Sequence, residues 1–308
     1  MKNAFLSLVA TAAAVLGAAV PGAASAQSTW NLYNNSTDGC TQNAGNSGNF
    51  GNSWLCNKGT GNAGTSLTAS AWSSQVGSGG TLQNISGSYY ANAYMSDWGN
   101  SGFGAANRTE GLGASSPNHA VDNIPTGQFD GILLNFGNAN TVLQKIGIGW
   151  GDNDGSGQQP VDITVLRWTG SGSPTSANST VTTGSNATLA MSGWSLVGSY
   201  ANVSSDSTTP FGGAALTTAA ANTSTSSWWL ITAFNKALNG GTSSCLTVGG
   251  ATGATCDEGD DAFKLNYVQA KIGGSSGGGG SAPEPASIAL VALGLAGALA
   301  ARRRRTAA

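Results

Sequence analysis

The segment from Asp152 to Asp162 carries oxygen-bearing side chains at a spacing that suits a cation. Aspartate, aspartate and serine alternate at its first, third and fifth positions, and glycine follows at the sixth for a sharp turn, as at the start of calcium-binding loops. The twelfth position of such loops is a bidentate glutamate, whereas this chain has Ile163. A polar turn between two core strands is the competing interpretation. The predicted calcium ligands are Asp152, Asp154, Ser156 and Asp162.

A second acidic group surrounds Gly259, just after Cys256. Carboxylates this close repel one another without a cation, although solvation in a surface loop relieves the same repulsion. Calcium and a solvated loop therefore remain alternative interpretations. The group consists of Asp257, Glu258, Asp260 and Asp261.

His119 is the only histidine, so it would have to serve as the base of most hydrolase mechanisms. Asp122 follows closely, but no Gly-x-Ser-x-Gly elbow or other nucleophile motif accompanies the pair. Glycoside hydrolysis needs two carboxyl groups at a defined separation, which a sequence does not reveal. We therefore expect a structural histidine and a protein that is not an enzyme, with a glycoside hydrolase as the minor alternative.

The chain contains nine tryptophans in an otherwise small-residue composition. Tryptophan rings stack on sugar faces in carbohydrate-binding sandwiches, but buried core tryptophans look the same in a sequence. A carbohydrate-binding module with an aromatic-lined site is therefore an alternative function. Several tryptophans exposed in one plane would favour it.

Charged residues make up only 8% of the chain, against about 25% in typical soluble domains. Between Gln27 and Ala282 there are 7 Lys and Arg against 13 Asp and Glu, a net charge of −6. This balance argues against binding to nucleic acid or anionic lipid.

From Gln128 onward, short runs of β-branched and aromatic residues alternate with glycine, asparagine and serine, which is typical of strands joined by turns. The pattern predicts an all-β fold, a two-sheet β-sandwich of jelly-roll or lectin-like type. The predicted strands are Gly131 to Phe136, Thr141 to Trp150, Val161 to Trp168, Trp194 to Tyr200, Ser227 to Phe234 and Ala262 to Ile272.

The strand starting at Thr141 has a period of two, which places Ile146, Ile148 and Trp150 on one face, predicted to be core. Gly147 and Gly149 leave the opposite face without bulk. Another backbone or a flat ligand could approach closely there.

The four cysteines form two close pairs, Cys40 with Cys56 and Cys245 with Cys256. Export to an oxidising compartment favours disulfides, and the short separations favour these two local bridges among three connectivities. The spacings do not match common zinc sites.

The N-terminus resembles a secretory signal peptide. Lys2 is followed by an apolar run through Val20, and Ala24-Ser25-Ala26 has the small residues that signal peptidase recognises. We expect cleavage after Ala26.

The C-terminus combines a Pro-Glu-Pro motif, an apolar run over 286–301 and four arginines. The run would span roughly 24 Å, short against a hydrocarbon core of about 30 Å, and the arginines favour the cytoplasmic side. This tail resembles the PEP-CTERM sorting signal that exosortases process in Gram-negative bacteria that make extracellular polysaccharide. A plain membrane anchor or a rhomboid-type sorting tail is the alternative. The signal consists of Pro283, Glu284, Pro285, Arg302, Arg303, Arg304 and Arg305.

A second resemblance covers about 116–272. Asn118-His119-Ala120-Val121-Asp122-Asn123, Ile148-Gly149-Trp150 and Trp228-Trp229-Leu230-Ile231 are similar to segments of a family of exosortase-dependent surface proteins. The resemblance implies surface display but names no ligand and no catalytic residue.

These observations predict a signal peptide (1–26), a secreted sandwich (27–272) and a Gly/Ser linker (273–282) before the sorting signal (283–308). The sandwich divides into a Gly/Asn-rich part (27–114) and a strand-rich part (115–272). We expect transient anchoring in the inner membrane, then display at the cell surface or in the extracellular matrix. The expected role in exopolysaccharide or biofilm is structural or adhesive, and the expected partners are exosortase, signal peptidase and extracellular polysaccharide.

Overall fold

A computed structural model describes the chain over fourteen ranges, all within one compact unit, Ser25–Ser275. The predicted linker beyond residue 273 and the predicted sorting signal lie outside the described residues, as does the predicted signal peptide except Ala26. The described ranges are 26–34, 39–43, 53–56, 59–60, 65–73, 75–76, 82–83, 93–106, 119–124, 129–153, 159–174, 193–205, 224–248 and 250–273.

The described residues form eighteen strands and a 3-10 helix at Gly99–Ser101. In chain order the strands are β1 (Ala26–Asn31), β2 (Thr41–Gln42), β3 (Ser53–Cys56), β4 (Gly59–Thr60), β5 (Leu67–Ser73), β6 (Gln75–Val76), β7 (Leu82–Gln83), β8 (Tyr94–Asp97), β9 (Phe103–Ala106), β10 (Val121–Asp122), β11 (Asp130–Asn135), β12 (Thr141–Asp152), β13 (Val161–Trp168), β14 (Trp194–Val203), β15 (Trp228–Ala233), β16 (Ser244–Leu246), β17 (Thr252–Thr255) and β18 (Ala262–Ile272).

Two large sheets contain nearly all of these strands. The nine-stranded sheet has the order β17-β16-β14-β13-β15-β11-β5-β3-β2. The seven-stranded sheet has the order β4-β1-β18-β9-β8, and β10 and β12 also pair with β18. A separate two-stranded ribbon joins β6 and β7. The predicted all-β, two-sheet sandwich is confirmed.

The main core contains alternate residues from strands of both sheets. In β15, Trp229, Ile231 and Ala233 belong to this core, whereas Leu230 lies with a second apolar cluster on the other face. The period-two geometry of a strand requires this division. The nine-stranded sheet is therefore apolar on both faces, which explains why its central strands read as continuous hydrophobic runs.

Both predicted disulfides are confirmed. Cys40 is bonded to Cys56, and Cys245 to Cys256. The second bridge ties β16 to Cys256, which comes just before the acidic loop that joins β17 to β18 and begins at Asp257. It therefore helps to fix the start of that loop.

The predicted face of Trp150 is wrong. Ile146 and Ile148 are buried in the core, but the pairing of β12 with β18 shifts register on both sides of Ile148. Trp150 consequently pairs with Lys264, and its ring lies against that residue's ammonium group. A β-bulge adds a residue to one strand, so the alternation that the sequence predicts is interrupted there.

The prediction for Gly147 and Gly149 is confirmed for a protein neighbour. A Cβ at residue 149 would clash with the backbone oxygen of Ser101, and a Cβ at residue 147 would overlap the ring of Tyr267. The 3-10 helix and β18 thus pack directly on the glycine face of β12.

No helix built from the described ranges is long and apolar enough to cross a membrane. The predicted span at 286–301 is outside those ranges.

Candidate functional site

Three aspartates from distant parts of the chain meet at one end of β13. Asp162 is the second residue of β13, while Asp257 and Asp261 belong to the loop between β17 and β18. Their carboxylate oxygens can be chosen so that all lie within 4.8 Å of one another. We call these three residues the acidic cluster. It combines Asp162 from the first acidic group recognised in the sequence with Asp257 and Asp261 from the second.

Backbone amides hold the carboxylates of the cluster in place. Asp162 donates its backbone N–H to Asp261 Oδ1 at 2.7 Å. The two carboxylate oxygens of Asp162 accept from the backbone N–H groups of Asn202, at 2.8 Å, and Asp257, at 3.1 Å. The carboxylates of Asp162 and Asp261 are therefore fixed by the backbone of the fold.

Asn123, just after β10, completes this network. Its Oδ1 accepts the backbone N–H groups of Gly259 and Asp261, and its Nδ2 donates to Asp261 Oδ2 at 3.1 Å. The same Nδ2 donates to the backbone oxygen of Phe234. Asn123 is fully buried and pins the acidic loop to the sandwich. Sequence analysis did not assign it a role, although it directly follows Asp122 in the segment around the single histidine.

Burial makes this cluster difficult to ionise fully. Desolvation, together with the nearby charge of Asp162, raises the pKa of Asp261 to about 9. Desolvation also raises the pKa of Asp162 to about 6, although hydrogen bonds from the backbone of Asn202 and Asp257 oppose the shift. Without a cation, Asp261 therefore holds a proton at neutral pH. Its burial also makes the solvated-loop interpretation wrong for this residue.

The cluster offers the donor set of a hard divalent cation. Carboxylate oxygens are the ligands that Ca²⁺ and Mg²⁺ prefer, and the charge of a cation here would offset the burial and the repulsion that keep Asp261 protonated. Asp257 is exposed, so the cluster has one open side. Asp162, Asp257 and Asp261 are the residues that would hold calcium.

The other predicted calcium ligands lie elsewhere or outside the described residues. Asp152 ends β12 and is buried, and it is not in the acidic cluster. Asp154 and Ser156 lie outside the described residues. Of the predicted set, the structure brings Asp162 alone into this cluster, where it joins Asp257 and Asp261.

His119 belongs to a different site, on the outer side of the seven-stranded sheet. Its ring stacks on Trp98 with 4.9 Å between ring centroids. Lys264 Nζ lies 4.7 Å from the centroid of Trp98 and 4.0 Å from that of Trp150. Burial lowers the pKa of Lys264 to about 8, and burial together with the charge of Lys264 lowers the pKa of His119. This packing supports the structural interpretation of the histidine.

All nine tryptophans lie within the described ranges, so the structure shows whether several of them are exposed in one plane, as an aromatic sugar-binding site would require. Trp98 is 46% exposed and is the only exposed large hydrophobic residue among the described residues. Trp150 and Trp228 are partly buried, and the remaining six are buried. The tryptophans therefore do not form a plane of several exposed rings.

A groove with a volume of about 600 Å³ lies where three adjacent strands of the nine-stranded sheet end. It is lined by the turn after β11, by the end of β13 and its following turn, and by the start of β15. Trp168, Trp228 and Arg167 are among its lining residues. Sequence analysis missed it, because pairing between segments about sixty residues apart brings these ends together.

The comparison with protein families identifies the C-terminus. The model of the PEP-CTERM protein-sorting motif matches residues 281–305. This chain carries a PEP-CTERM sorting motif. The match includes Pro283, Glu284 and Pro285, the apolar run and all four arginines up to Arg305, so the predicted sorting signal is confirmed.

The PEP-CTERM motif marks the chain as an exported protein that exosortase processes through a transient membrane stage. No curated protein and no solved structure matches the chain. The PEP-CTERM motif therefore identifies the sorting route, whereas the activity of the sandwich has to be argued from its own residues.

Proposed function

We propose that the sandwich is a structural or adhesive component of the cell surface or exopolysaccharide matrix of a Gram-negative bacterium. The observation that carries this proposal is the PEP-CTERM motif at residues 281–305. Signal peptidase would remove the first 26 residues, and exosortase would act at the C-terminal motif. The sandwich would then remain outside the inner membrane.

The surface chemistry of the chain supports a matrix role. Only 8% of its residues are charged, and asparagine, serine, threonine and glycine make up the difference. Amide and hydroxyl groups hydrogen-bond to hydrated polysaccharide directly or through water, and each such contact contributes little by itself. Many weak contacts suit a component that resides in a gel of sugar chains.

A non-enzymatic role is supported by the way the acidic cluster is held. The carboxylates of Asp162 and Asp261 accept hydrogen bonds from backbone amides and from Asn123, and both residues are buried. A catalytic pair would need to reach a glycosidic oxygen and the anomeric carbon of a substrate. We propose that this cluster stabilises the fold, with Ca²⁺ as its cation.

The second candidate function is a carbohydrate-binding module with one defined site. The groove favours it, because Trp168 and Trp228 line it together with polar residues. Small-molecule sites combine apolar walls with a few placed polar groups in this way. With such a site, the sandwich would bind the polysaccharide of the matrix saturably, through the groove.

Co-sedimentation tests the matrix role. Mature protein purified from the medium would be mixed with the host's own exopolysaccharide, and bovine serum albumin would serve as the non-binding control. We expect the protein to pellet with the polysaccharide and to be released by excess soluble polysaccharide. Recovery in the supernatant at the level of albumin would contradict the proposal.

A further inference from the structure

The groove at the end of the nine-stranded sheet has the features of a ligand site. Its volume of about 600 Å³ lies inside the range of roughly 300–1,000 Å³ found for small-ligand pockets. Strand β15 lies between β13 and β11, so the ends of these three neighbours meet at one edge. Asn135 pairs with Trp228 across β11 and β15, which puts their side chains on one face of the sheet.

Hydrogen bonds fix the walls of the groove. Trp168 donates its indole N–H to the backbone oxygen of Gly172 at 2.8 Å. Its ring packs edge-on against the ring of Trp194, with 5.2 Å between the ring centroids. Ser226 donates its hydroxyl to the backbone oxygen of Trp168 at 2.8 Å, which ties the start of β15 to the end of β13. Because these hydrogen bonds already order the walls of the groove, ligand binding does not carry the entropy cost of ordering them.

Arg167 gives the groove a positive charge. Among the described residues, its guanidinium makes one hydrogen bond, from Nη1 to the backbone oxygen of Thr225 at 3.4 Å. Because arginine carries five N–H donors, four are left by the described part of the chain for a ligand. None of the thirteen described lining residues is acidic. A cation that has no carboxylate partner within the described ranges is notable in a sandwich region whose net charge is −6.

The remaining lining residues suit a sugar. Trp228 is only partly buried and so retains ring surface for the apolar face of a pyranose. Thr169, Ser173 and Ser227 add hydroxyl-bearing residues that can both donate and accept hydrogen bonds. The planar fork of a guanidinium matches a carboxylate in two parallel hydrogen bonds.

We propose that this groove, which extends around the strand ends from Trp228 on one face of the sheet to Arg167 on the other, binds a short segment of an acidic polysaccharide, with a uronate carboxylate on Arg167 and a sugar ring on Trp228. The inference rests on the proposed matrix function and names the class of glycan that the sandwich recognises. The overall negative charge of the sandwich does not prevent it, because charges more than about 10 Å away are largely screened at 0.1 M salt.

The probe is a size-defined oligogalacturonate, with its methyl-esterified form as a matched neutral ligand. Titration calorimetry and tryptophan fluorescence would measure binding to the mature protein. We expect saturable binding of the free acid, and binding of the ester at least about tenfold weaker, as loss of a charge-assisted hydrogen bond predicts. Equal binding of both forms, or no saturable binding of the acid, would overturn the proposal.

Two groove variants and two control variants locate the site. Arg167→Gln and Trp228→Ala should each weaken binding of the acid by roughly tenfold or more. Lys145→Gln and Trp98→Ala change a cation and an exposed tryptophan that do not line the groove, and they should bind as the unmodified protein does. Unfolding temperatures would show that each variant is folded. Unchanged binding by Arg167→Gln would overturn the assignment even if Trp228→Ala fails to fold.

Failure of this inference is separable from failure of the proposed function. A protein found in the matrix that binds no oligogalacturonate would refute the groove assignment alone. A protein that binds the acid through Arg167 but stays in the inner membrane would refute the matrix role alone.

Discussion

Asp162 donates its backbone N–H to the carboxylate of Asp261 at 2.7 Å, although the two residues are 99 positions apart. Because the same bond brings two carboxylates together, it places a charge conflict inside the sandwich. The fold resolves that conflict by protonation of Asp261 or by a cation. Both solutions have measurable consequences.

Calcium should stabilise the sandwich through Asp257. Asp257→Asn replaces a charged carboxylate ligand by a neutral amide. It also removes a negative charge that raises the pKa of Asp162. We expect the unmodified protein to melt about 5 °C higher when calcium is roughly a hundredfold above its dissociation constant. The variant should be more stable than the unmodified protein in EDTA and should gain little from calcium.

Glu258→Gln is the matched control for this prediction. Glu258 lies next to Asp257 outside the cluster, and its Oε1 accepts the backbone N–H of Lys236, a bond that glutamine retains. The control should keep the full calcium effect in differential scanning calorimetry. The same loss of effect in both variants would mean that calcium acts elsewhere.

Stability in EDTA should fall as pH rises from about 6.5 to 7.5. The folded protein keeps Asp261 protonated up to a pKa of about 9, whereas the unfolded chain has lost that proton above about 4. Since the folded state binds more protons in this window, its stability decreases with pH, by about 1 kcal/mol per pH unit. Asp162 and Lys264 titrate mainly outside the window, at about 6 and about 8.

Urea unfolding at a series of pH values measures this slope. Asp261→Asn removes the titrating group, so its stability should be nearly independent of pH across the same window, whatever its absolute value. A stability that rises with pH in the unmodified protein would contradict protonation of Asp261.

The two disulfides should differ in their effect on calcium. Replacing Cys245 and Cys256 by alanine should cost about 3 kcal/mol and release the loop that carries Asp257, so the calcium effect should shrink. Replacing Cys40 and Cys56 should cost a similar amount and leave the calcium effect intact. Calcium titrations followed by thermal unfolding compare the two pairs, and equal calcium effects would refute the coupling.

Gly149→Ala should destabilise the sandwich more than Gly137→Ala. The new methyl group at 149 would meet the backbone oxygen of Ser101, a clash that typically costs about 1–3 kcal/mol. Gly137 has a φ of +63° and open space around it, so alanine there costs only about 1 kcal/mol of backbone strain. Denaturant unfolding of both variants checks the order, and the reverse order would contradict the packing of the 3-10 helix on β12.

The strand-rich part of the fold was predictable because its runs of β-branched and aromatic residues are bounded by glycine, asparagine and serine. Strands β13 and β18 have exactly the predicted limits, Val161–Trp168 and Ala262–Ile272. Strands β1 and β5 were missed, because their small polar residues carry little periodicity; tertiary pairing with β18 and β11 forms them. The bulge that turns Trp150 outward also left no mark in the sequence.

The candidate sites were predictable only in their parts. Both acidic groups were visible in the sequence, but their meeting depends on sheet topology and on Asn123, which a sequence does not place. The groove depends on three strand ends that meet only after β15 inserts between β13 and β11. Sites whose residues come from distant parts of the chain are therefore recognised only once the fold is known.

The sorting route is the central claim, and one comparison in the host tests it directly. Intact mass and cell fractionation would be determined for the unmodified protein and for a variant with Pro283, Glu284 and Pro285 replaced by alanine. We expect the unmodified protein to lack its C-terminal segment and lie outside the inner membrane, while the variant keeps the segment and stays in that membrane. Identical mass and location of the two proteins would contradict sorting through the PEP-CTERM motif.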